Sequence, residues 1–337
     1  MTIYDISEKA GVSIATVSRV LNGSTKVSEK TRQKVLAVME ECDYTPNAFA
    51  RGLGLNSMNT IGILCTDFRD SYAAKFLYSI EQKLHAGQYD TLIYCTGSDL
   101  ESRQKYLNLL LSKKVNAIIL AGSDFVSETA ENNTYISDAA KAVPVMLLGA
   151  AMDAPNIYSF IPDDFRSVYE AASSMLSAGI KDILFFYDSA TYSNLQKLSG
   201  YRAALEDAGI SFTPAHVLFC DADDRSIDSM VQSLKNFTKN GIRFNGLIAS
   251  NDLLAIAALK YANSVKLKVP EDISVIGYGN SLFSVCCTPE LTSMDPKTEI
   301  LCDELISALT EILSGSLQSS SKMLLPGTLI RRRTTLF

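Results

Sequence analysis

Residues 12–23 combine an apolar face with a face of small polar side chains. Ser13 can cap the start of a helix, and Asn22-Gly23 can supply the left-handed residue at which a helix commonly ends. Arg19 is the one long hydrogen-bond donor on the polar face. A helix that only faces water favours glutamate and lysine, whereas a helix that docks in a DNA groove needs short side chains and a long donor. We therefore interpret this segment as a DNA-recognition helix.

Two further helices are predicted around it. Thr2 and Asp5 have the spacing of a capping box that opens a helix stopped by Gly11, and Ser28 can cap a third helix that runs to about Cys42. Three short helices with tight turns make a helix-turn-helix domain of close to minimal size, at residues 1–45. The apolar residues predicted to form its core are Ile6, Ala10, Val12, Val17, Val20, Leu21, Val35 and Val38.

The charge distribution agrees with a DNA-binding head on an acidic body. Residues 1–39 hold six basic and three acidic side chains, a net charge of +3, so the remainder carries −9 of the overall −6. Such a molecule would meet phosphate with one end only. The absence of a long apolar run and of a secretion signal predicts a cytoplasmic protein without a membrane segment. Seven scattered cysteines and two distant histidines predict neither disulfides, nor a metal site, nor a cofactor.

From residue 60 onward, short apolar runs alternate with amphipathic helical segments. Continuous apolar strands with helical crossovers indicate parallel sheets covered on both faces, and two such sheets side by side leave a cleft at the carboxyl ends of their strands. The predicted strands are 61–65, 91–95, 117–121, 145–148, 183–187, 216–219, 247–250, 273–277, 322–325 and 328–332. The predicted helices are roughly 75–87, 99–113, 134–142, 164–178, 194–208, 225–240, 252–264 and 297–314.

The predicted fold is therefore α/β with an all-α headpiece in front. A linker or hinge at 46–59 joins the headpiece to a two-lobed body at 60–337. The first lobe is expected at about 60–161 and 291–322, and the second at about 162–290 and 323–337.

Several motifs follow one another in a fixed order. The chain opens, at residues 4–22, with Tyr-Asp-Ile-Ser-x-x-Ala-Gly-Val-Ser-x-x-Thr-Val-Ser-Arg-Val-Leu-Asn. Three shorter motifs follow it: Val27-Ser28-x-x-Thr31-Arg32, Tyr44-x-Pro46-Asn47-x-x-Ala50-Arg51 and Ile61-Gly62. This order resembles the lactose repressor family of bacterial transcription regulators over the whole chain. The resemblance implies a homodimer whose two headpieces read a pseudo-palindromic double-stranded DNA operator. It also implies hinge helices and a body similar to periplasmic sugar-binding proteins.

The resemblance implies DNA contacts for particular residues of the headpiece. Ile14, Ala15 and Arg19 match the positions at which the family contacts base edges, and Arg19 suits guanine, whose O6 and N7 accept a bidentate guanidinium. Contacts to phosphate or the DNA backbone are implied for Tyr4, Thr16, Ser18 and Asn22.

The hinge is implied to contact DNA as well. Asn47, Ala50 and Leu53 fall where the family's paired leucines enter the minor groove at a central CpG step. Gly52 replaces the serine common at its position, which weakens the expected hinge helix. A plain linker is the alternative interpretation of this segment.

For the cleft, the resemblance implies a site for a small carbohydrate-like effector. It places Tyr72 on the first lobe, and Arg202 and Asn251-Asp252 on the second, although Arg202 can equally be a structural ion-pair partner. Two carboxylates common in the family are replaced, by Leu148-Gly149-Ala150 and by Gly277-Tyr278-Gly279-Asn280, which disfavours an ordinary free monosaccharide. The carboxylates that can compensate are Asp67, Asp163 and Asp252.

An operator-specific repressor with such an effector is the leading interpretation. An alternative keeps the DNA chemistry and takes the signal from a protein coregulator, as catabolite control protein A does. An enzyme is disfavoured, because Gly277-Tyr278-Gly279 is only a fragment of a dinucleotide loop and no catalytic triad is apparent. A secreted solute receptor would explain the lobes but not the headpiece. No leucine heptad follows Arg333, which favours a dimer over a tetramer.

Overall fold

The computed structural model describes residues 1–21, 24–44, 59–69, 71–220, 226–239, 241–316 and 321–337, with the side chains of Ser71 and Tyr72 excepted. Over these ranges the chain forms a helical headpiece and a body of two six-stranded sheets. The predicted fold class is confirmed. No helix within the described ranges has both the length and the apolar character needed to cross a bilayer.

The headpiece begins with the predicted capping box. The Thr2 amide and hydroxyl donate to the Asp5 carboxylate at 2.7 and 3.1 Å, and these hydrogen bonds lower the pKa of Asp5. Gly11 then ends the first helix in the left-handed conformation, at a φ of 59°. The three helices are α1 (Ile3–Ala10), α2 (Ile14–Leu21) and α3 (Glu29–Glu41).

One small apolar core holds these helices together. Its buried members are Ile6, Ala10, Val17, Val20, Val35 and Met39, and Val12, Leu21 and Val38 pack against them partly buried. All the core residues predicted from the sequence therefore lie in this core or against it. Ser13 and Ser28 accept backbone N–H groups at the starts of α2 and α3, as their residue types predict.

The body has two sheets of almost entirely parallel strands, the pair β10–β12 being antiparallel. The first sheet has the order β11-β5-β4-β3-β1-β2, and the second has the order β12-β10-β9-β8-β6-β7. The first sheet comprises β1 (Thr60–Cys65), β2 (Asp90–Cys95), β3 (Ala117–Ala121), β4 (Val145–Leu148), β5 (Ile157–Asp163) and β11 (Lys322–Pro326). The second comprises β6 (Ile183–Tyr187), β7 (Val217–Phe219), β8 (Gly246–Ala249), β9 (Ser274–Tyr278), β10 (Thr292–Asp295) and β12 (Thr328–Ile330).

Helices cover both faces of each sheet. The side chains of β1 alternate between two apolar clusters, with Ile61 and Ile63 on one side and Leu64 on the other, which explains why these strands are apolar throughout. The helices of the body are α4 (Ser71–Ala86), α5 (Leu100–Ser112), α6 (Thr134–Ala140), α7 (Asp164–Ser177), α8 (Tyr192–Asp207), α9 (Ile227–Lys239), α10 (Asp252–Ser264), α11 (Leu282–Cys286) and α12 (Thr298–Ser314).

The chain crosses between the lobes three times. The first crossing lies between Asp163 and Asp164, where the sequence analysis expected 161/162. The second and third were expected at 290/291 and 322/323, but β10 belongs to the second sheet and β11 to the first. The second crossing therefore follows Asp295 and the third follows Pro326. The sequence had not predicted β5 and β10, whose residues mix polar with apolar types.

Helices α7 and α8 approach each other too closely for a side chain at Gly200. A Cβ atom at this position would overlap the Phe165 carbonyl group of α7. We expect Gly200→Ala to lower the free energy of unfolding by about 3 kcal/mol, because a backbone carbonyl cannot move aside as a flexible side chain can. Urea unfolding followed by circular dichroism measures this, with the exposed neighbour as control in Ser199→Ala. Equal stabilities of the two variants would contradict the close packing.

Candidate functional site

The outer face of α2 presents the side chains predicted to contact base edges. Ile14 exposes 40% of its surface, and Ala15 and Arg19 are exposed as well. Val17 and Val20 of the same helix are buried in the headpiece core. An apolar contact such as Ile14 can meet a thymine methyl group, and a free guanidinium can reach a guanine edge. The geometry of this face is therefore suited to a DNA groove.

The residues predicted to contact phosphate flank this face. Tyr4 on α1 is 67% exposed, and Thr16 and Ser18 are half-buried, with the Thr16 hydroxyl hydrogen-bonded to Ser13 at 2.9 Å. Helix α2 carries no acidic residue that would repel phosphate. The predicted contacts at Asn22, Asn47, Ala50 and Leu53 lie outside the described residues, as does most of the hinge.

The carboxyl ends of the two sheets face each other across the cleft between the lobes. The Tyr192 amide, at the start of α8 in the second lobe, donates to the Ser123 carbonyl at 3.3 Å. Ser123 follows β3 in the first lobe, so this hydrogen bond joins the loops on the two sides. Polar groups near these loops are the candidates for binding a small molecule.

A buried charged cluster forms the floor of the second lobe. The Lys197 ammonium donates to the Ser250 carbonyl at 3.1 Å and lies 3.8 Å from the centre of the Tyr278 ring. The Tyr278 hydroxyl in turn donates to the Asp164 carboxylate. Burial raises the pKa of Asp164, and the positive charge of Lys197 opposes this rise. The lysine and the aspartate therefore belong to one buried cluster, in which Tyr278 contacts both.

Arg202 does not belong to this site. It lies about 15 Å along α8 from the helix start at Tyr192, given the rise of 1.5 Å per residue. Its side chain is 60% exposed, pairs with Glu206 at 2.7 Å and stacks over Phe212. The structure thus supports the structural ion pair, the alternative interpretation of this arginine.

Lys197 takes the place that the sequence analysis gave to Arg202. A sequence signal for it exists, because Lys197, Gly200, Tyr201 and Ala204 recur at the spacing of one helix face, and all four are buried. A lysine on a core face needs a compensating partner, which marks it as unusual.

The predicted pair Asn251-Asp252 separates into two roles. Asn251 caps α10 through the Leu254 amide and donates to the Asp188 carboxylate at 3.0 Å, so it stays at the cleft. Asp252 is only 3% exposed and accepts hydrogen bonds from the Ser281 amide and hydroxyl and from the Ser293 hydroxyl. Asp252 therefore fastens β10 and the loop after β9 to α10 and does not face a ligand.

The remaining candidates for the cleft make structural contacts or lie outside the described residues. Asp67 is paired with Arg69 at 2.9 Å, and Asp163 caps α7 by accepting the Arg166 amide. The Tyr72 side chain lies outside the described part of the chain. The sequence analysis did not name Asp188, which follows β6 at the edge of the cleft.

A helix-turn-helix headpiece joined to a two-lobed body of this kind defines a class of DNA-binding transcriptional regulators. Residues 2–47 match the family described as bacterial regulatory proteins of the lacI family, and residues 172–335 match the periplasmic binding protein-like domain.

Relatives of known class agree with these matches. An HTH-type transcriptional regulator of Lachnoclostridium phytofermentans is 46% identical, with both chains covered completely. DegA, an HTH-type transcriptional regulator of Bacillus subtilis, is 30% identical over 99% of this chain and 98% of its own. The lac repressor dimer bound to operator and the anti-inducer ONPF has a TM-score of 0.88 at 26% identity, covering 100% of this chain and 99% of that chain. The chain belongs to the lacI family and is a DNA-binding transcriptional regulator.

The charge compensation between Lys197 and Asp164 can be tested by a double-mutant cycle. We expect Lys197→Met to lower the free energy of unfolding by about 3 kcal/mol, because a buried carboxylate loses a compensating charge. Asp164→Asn in the same chain should recover part of that loss, which would show as a coupling energy. Urea unfolding gives all four stabilities.

The exposed ion pair supplies the control for this cycle. Arg202→Ala should change stability by only about 0.5 kcal/mol, since exposed pairs contribute little. Additive effects of the Lys197 and Asp164 substitutions would rule out direct compensation.

Proposed function

We propose that this protein is an operator-specific repressor that works as a homodimer and is released or recruited by a small carbohydrate-like effector in the cleft. The observation that carries the proposal is the exposed face of α2, where Ile14, Ala15 and Arg19 stand clear of the headpiece core. The two-lobed body behind it supplies the place for an effector. The operator is a pseudo-palindrome, because two identical headpieces read two half-sites, and the hinge leucine implied by the resemblance gives it a central CG step.

An exposed apolar surface on the second lobe supports the homodimer. We define the α11 surface as Leu282, Phe283, Val285 and Cys286, and Leu282 exposes 75% of its area. Beside it runs a groove of about 500 Å³ that is lined by residues of α10 and α11. Clustered exposed apolar side chains are typical of surfaces that a partner covers. A second copy of the chain is the occupant we propose, in keeping with the dimeric lac repressor of similar fold.

Linkage would connect the effector to the operator. An effector that prefers one arrangement of the lobes shifts the distance between the two headpieces of the dimer. Effector and operator must then change each other's affinity by the same factor. In the alternative, a protein coregulator shifts the same equilibrium from the surface of the body. A chain whose operator affinity responds to no small molecule would favour that alternative.

Arg19 provides the test of base reading. We expect Arg19→Ala to cost about 1–3 kcal/mol of operator affinity and to relax the preference at one base pair of each half-site. The measurement is a fluorescence titration of an operator selected from random duplexes, together with its single-base variants. If affinity instead falls equally for all sequences, Arg19 contacts only phosphate.

The α11 surface provides the test of the dimer. We expect Leu282→Asp to shift the protein from dimer to monomer at micromolar concentration, because a buried, unpaired charge opposes association. Analytical ultracentrifugation measures the mass, and the selected operator measures the loss of affinity. Leu336→Asp places the same charge on another exposed leucine and should leave the dimer intact. A dimer that survives Leu282→Asp would exclude this surface.

A further inference from the structure

Asp188 is a carboxylate held in place at the edge of the cleft. It follows β6 and is half-buried. The Asn251 side chain donates to one of its oxygens at 3.0 Å, and the Asn194 side chain lies 3.5 Å from the other. Ser189 donates its hydroxyl to the same oxygen as Asn194, at 3.3 Å. Neutral donors therefore orient this group without neutralising its charge.

Asp188 differs from Asp67 and Asp124 in its charge balance. Asp67 pairs with Arg69, and the Arg103 guanidinium lies 3.6 Å from the Asp124 carboxylate. Within the described ranges, no lysine, arginine or histidine nitrogen comes within 4.0 Å of the Asp188 carboxylate. The second lobe therefore presents an anion that no basic side chain of the described chain balances.

The positive charge nearest to the cleft floor is already committed. Lys197 is 6% exposed, and its ammonium donates to the Ser250 carbonyl at 3.1 Å and lies over the Tyr278 ring. Asp163, which precedes Asp164 at the first crossing, adds another negative charge. A negatively charged ligand would therefore meet net repulsion on this side, whereas hydroxyl donors would be attracted.

The same place has unused hydrogen-bonding capacity. An ionised carboxylate accepts about four hydrogen bonds. The donors around Asp188 leave part of this capacity unused, because the Asn194 contact is long. In addition, the Ser250 hydroxyl beside Asn251 is buried and forms no hydrogen bond with any described residue. Unsatisfied buried polar groups are rare in proteins and call for a partner.

Asn251 fixes the direction of the carboxylate. Its carbonyl oxygen accepts the Leu254 amide at the start of α10, at 2.9 Å, which leaves its NH2 group turned to Asp188. An acceptor held this way is preorganised and loses little freedom when a ligand binds. Asn251 is thus a positioning residue, and Asp188 is the group that a ligand would contact.

We infer that Asp188 accepts hydroxyl groups of the effector and that the second lobe selects an uncharged sugar over a phosphorylated or carboxylated one. This inference rests on the proposed function and deepens it by naming the effector class. Asp188 would also compensate for the two family carboxylates that are replaced near Ala150 and Gly279, because it supplies an acceptor at the end of a different strand.

The test uses the full-length protein and a matched set of probes. Glucose, galactose, mannose and cellobiose are each compared with a phosphorylated and a carboxylated derivative, by thermal shift and then by calorimetric titration. We expect binding only among the uncharged members, and at least a tenfold loss of their affinity in Asp188→Asn. Asp182→Asn is the control, because it removes the charge of an exposed aspartate at the opposite end of β6. It should bind the uncharged sugar as the parent chain does.

Several outcomes would overturn the inference. Binding confined to the charged derivatives, unchanged affinity in Asp188→Asn, or no binding by any probe would each do so. Operator titrations with the same preparations separate this failure from that of the proposed function. If a phosphorylated sugar releases or recruits the operator, the role inferred for Asp188 is wrong, but the proposal of an effector-controlled regulator still holds.

Discussion

The body depends on the way its three chain crossings pack against one another. Gly327 lies in the third crossing, and its amide donates to the Ser167 hydroxyl of α7, just after the first crossing, at 3.1 Å. A Cβ atom at Gly327 would lie 2.6 Å from that hydroxyl and 3.0 Å from the Asp295 carbonyl of the second crossing. All three crossings therefore meet at one glycine, where a side chain would crowd the other two crossings. Lobes joined in this way would rotate about this shared crossing point rather than independently.

The crossing point of the lobes is continuous with the charged floor of the cleft. Asp164 begins α7 directly after the first crossing, and its carboxylate binds Tyr278 and lies near Lys197. One buried network therefore joins the cleft floor to the first crossing, and under the proposed function it would carry a change at the floor to that crossing. A buried polar network costs free energy when only some of its hydrogen bonds are made. It therefore favours a few discrete arrangements of its side chains over a continuous range. This is the property that a two-state regulator needs.

The sequence predicted the strands and cleft residues that follow from the pattern of side chains along the chain. It did not predict those that depend on tertiary position. Every predicted strand is present to within two residues, since continuous apolar runs can hardly be anything but buried strands. Strands β5 and β10 escaped prediction because Ser159, Thr292 and Ser293 are polar yet buried at the crossings. The resemblance pointed to Arg202 and not to Lys197, although the helix face decides which of these side chains is buried. Asp188 became visible only when β6 and β8 were placed side by side.

The headpiece was predictable for a different reason, which also bears on how regulation would work. Among the described residues its core has six buried side chains, two of them on α2, whereas Ile14, Ala15 and Arg19 of that helix are exposed, so the apolar pattern has one solution. A core of that size stabilises a domain only marginally. Under the proposed function, each headpiece alone contributes a modest part of the binding free energy, and specificity comes from holding two of them at the spacing of the half-sites. Under the proposed function, a small rotation of the lobes about Gly327 would suffice, because the effective concentration of the second headpiece falls steeply once its spacing is wrong.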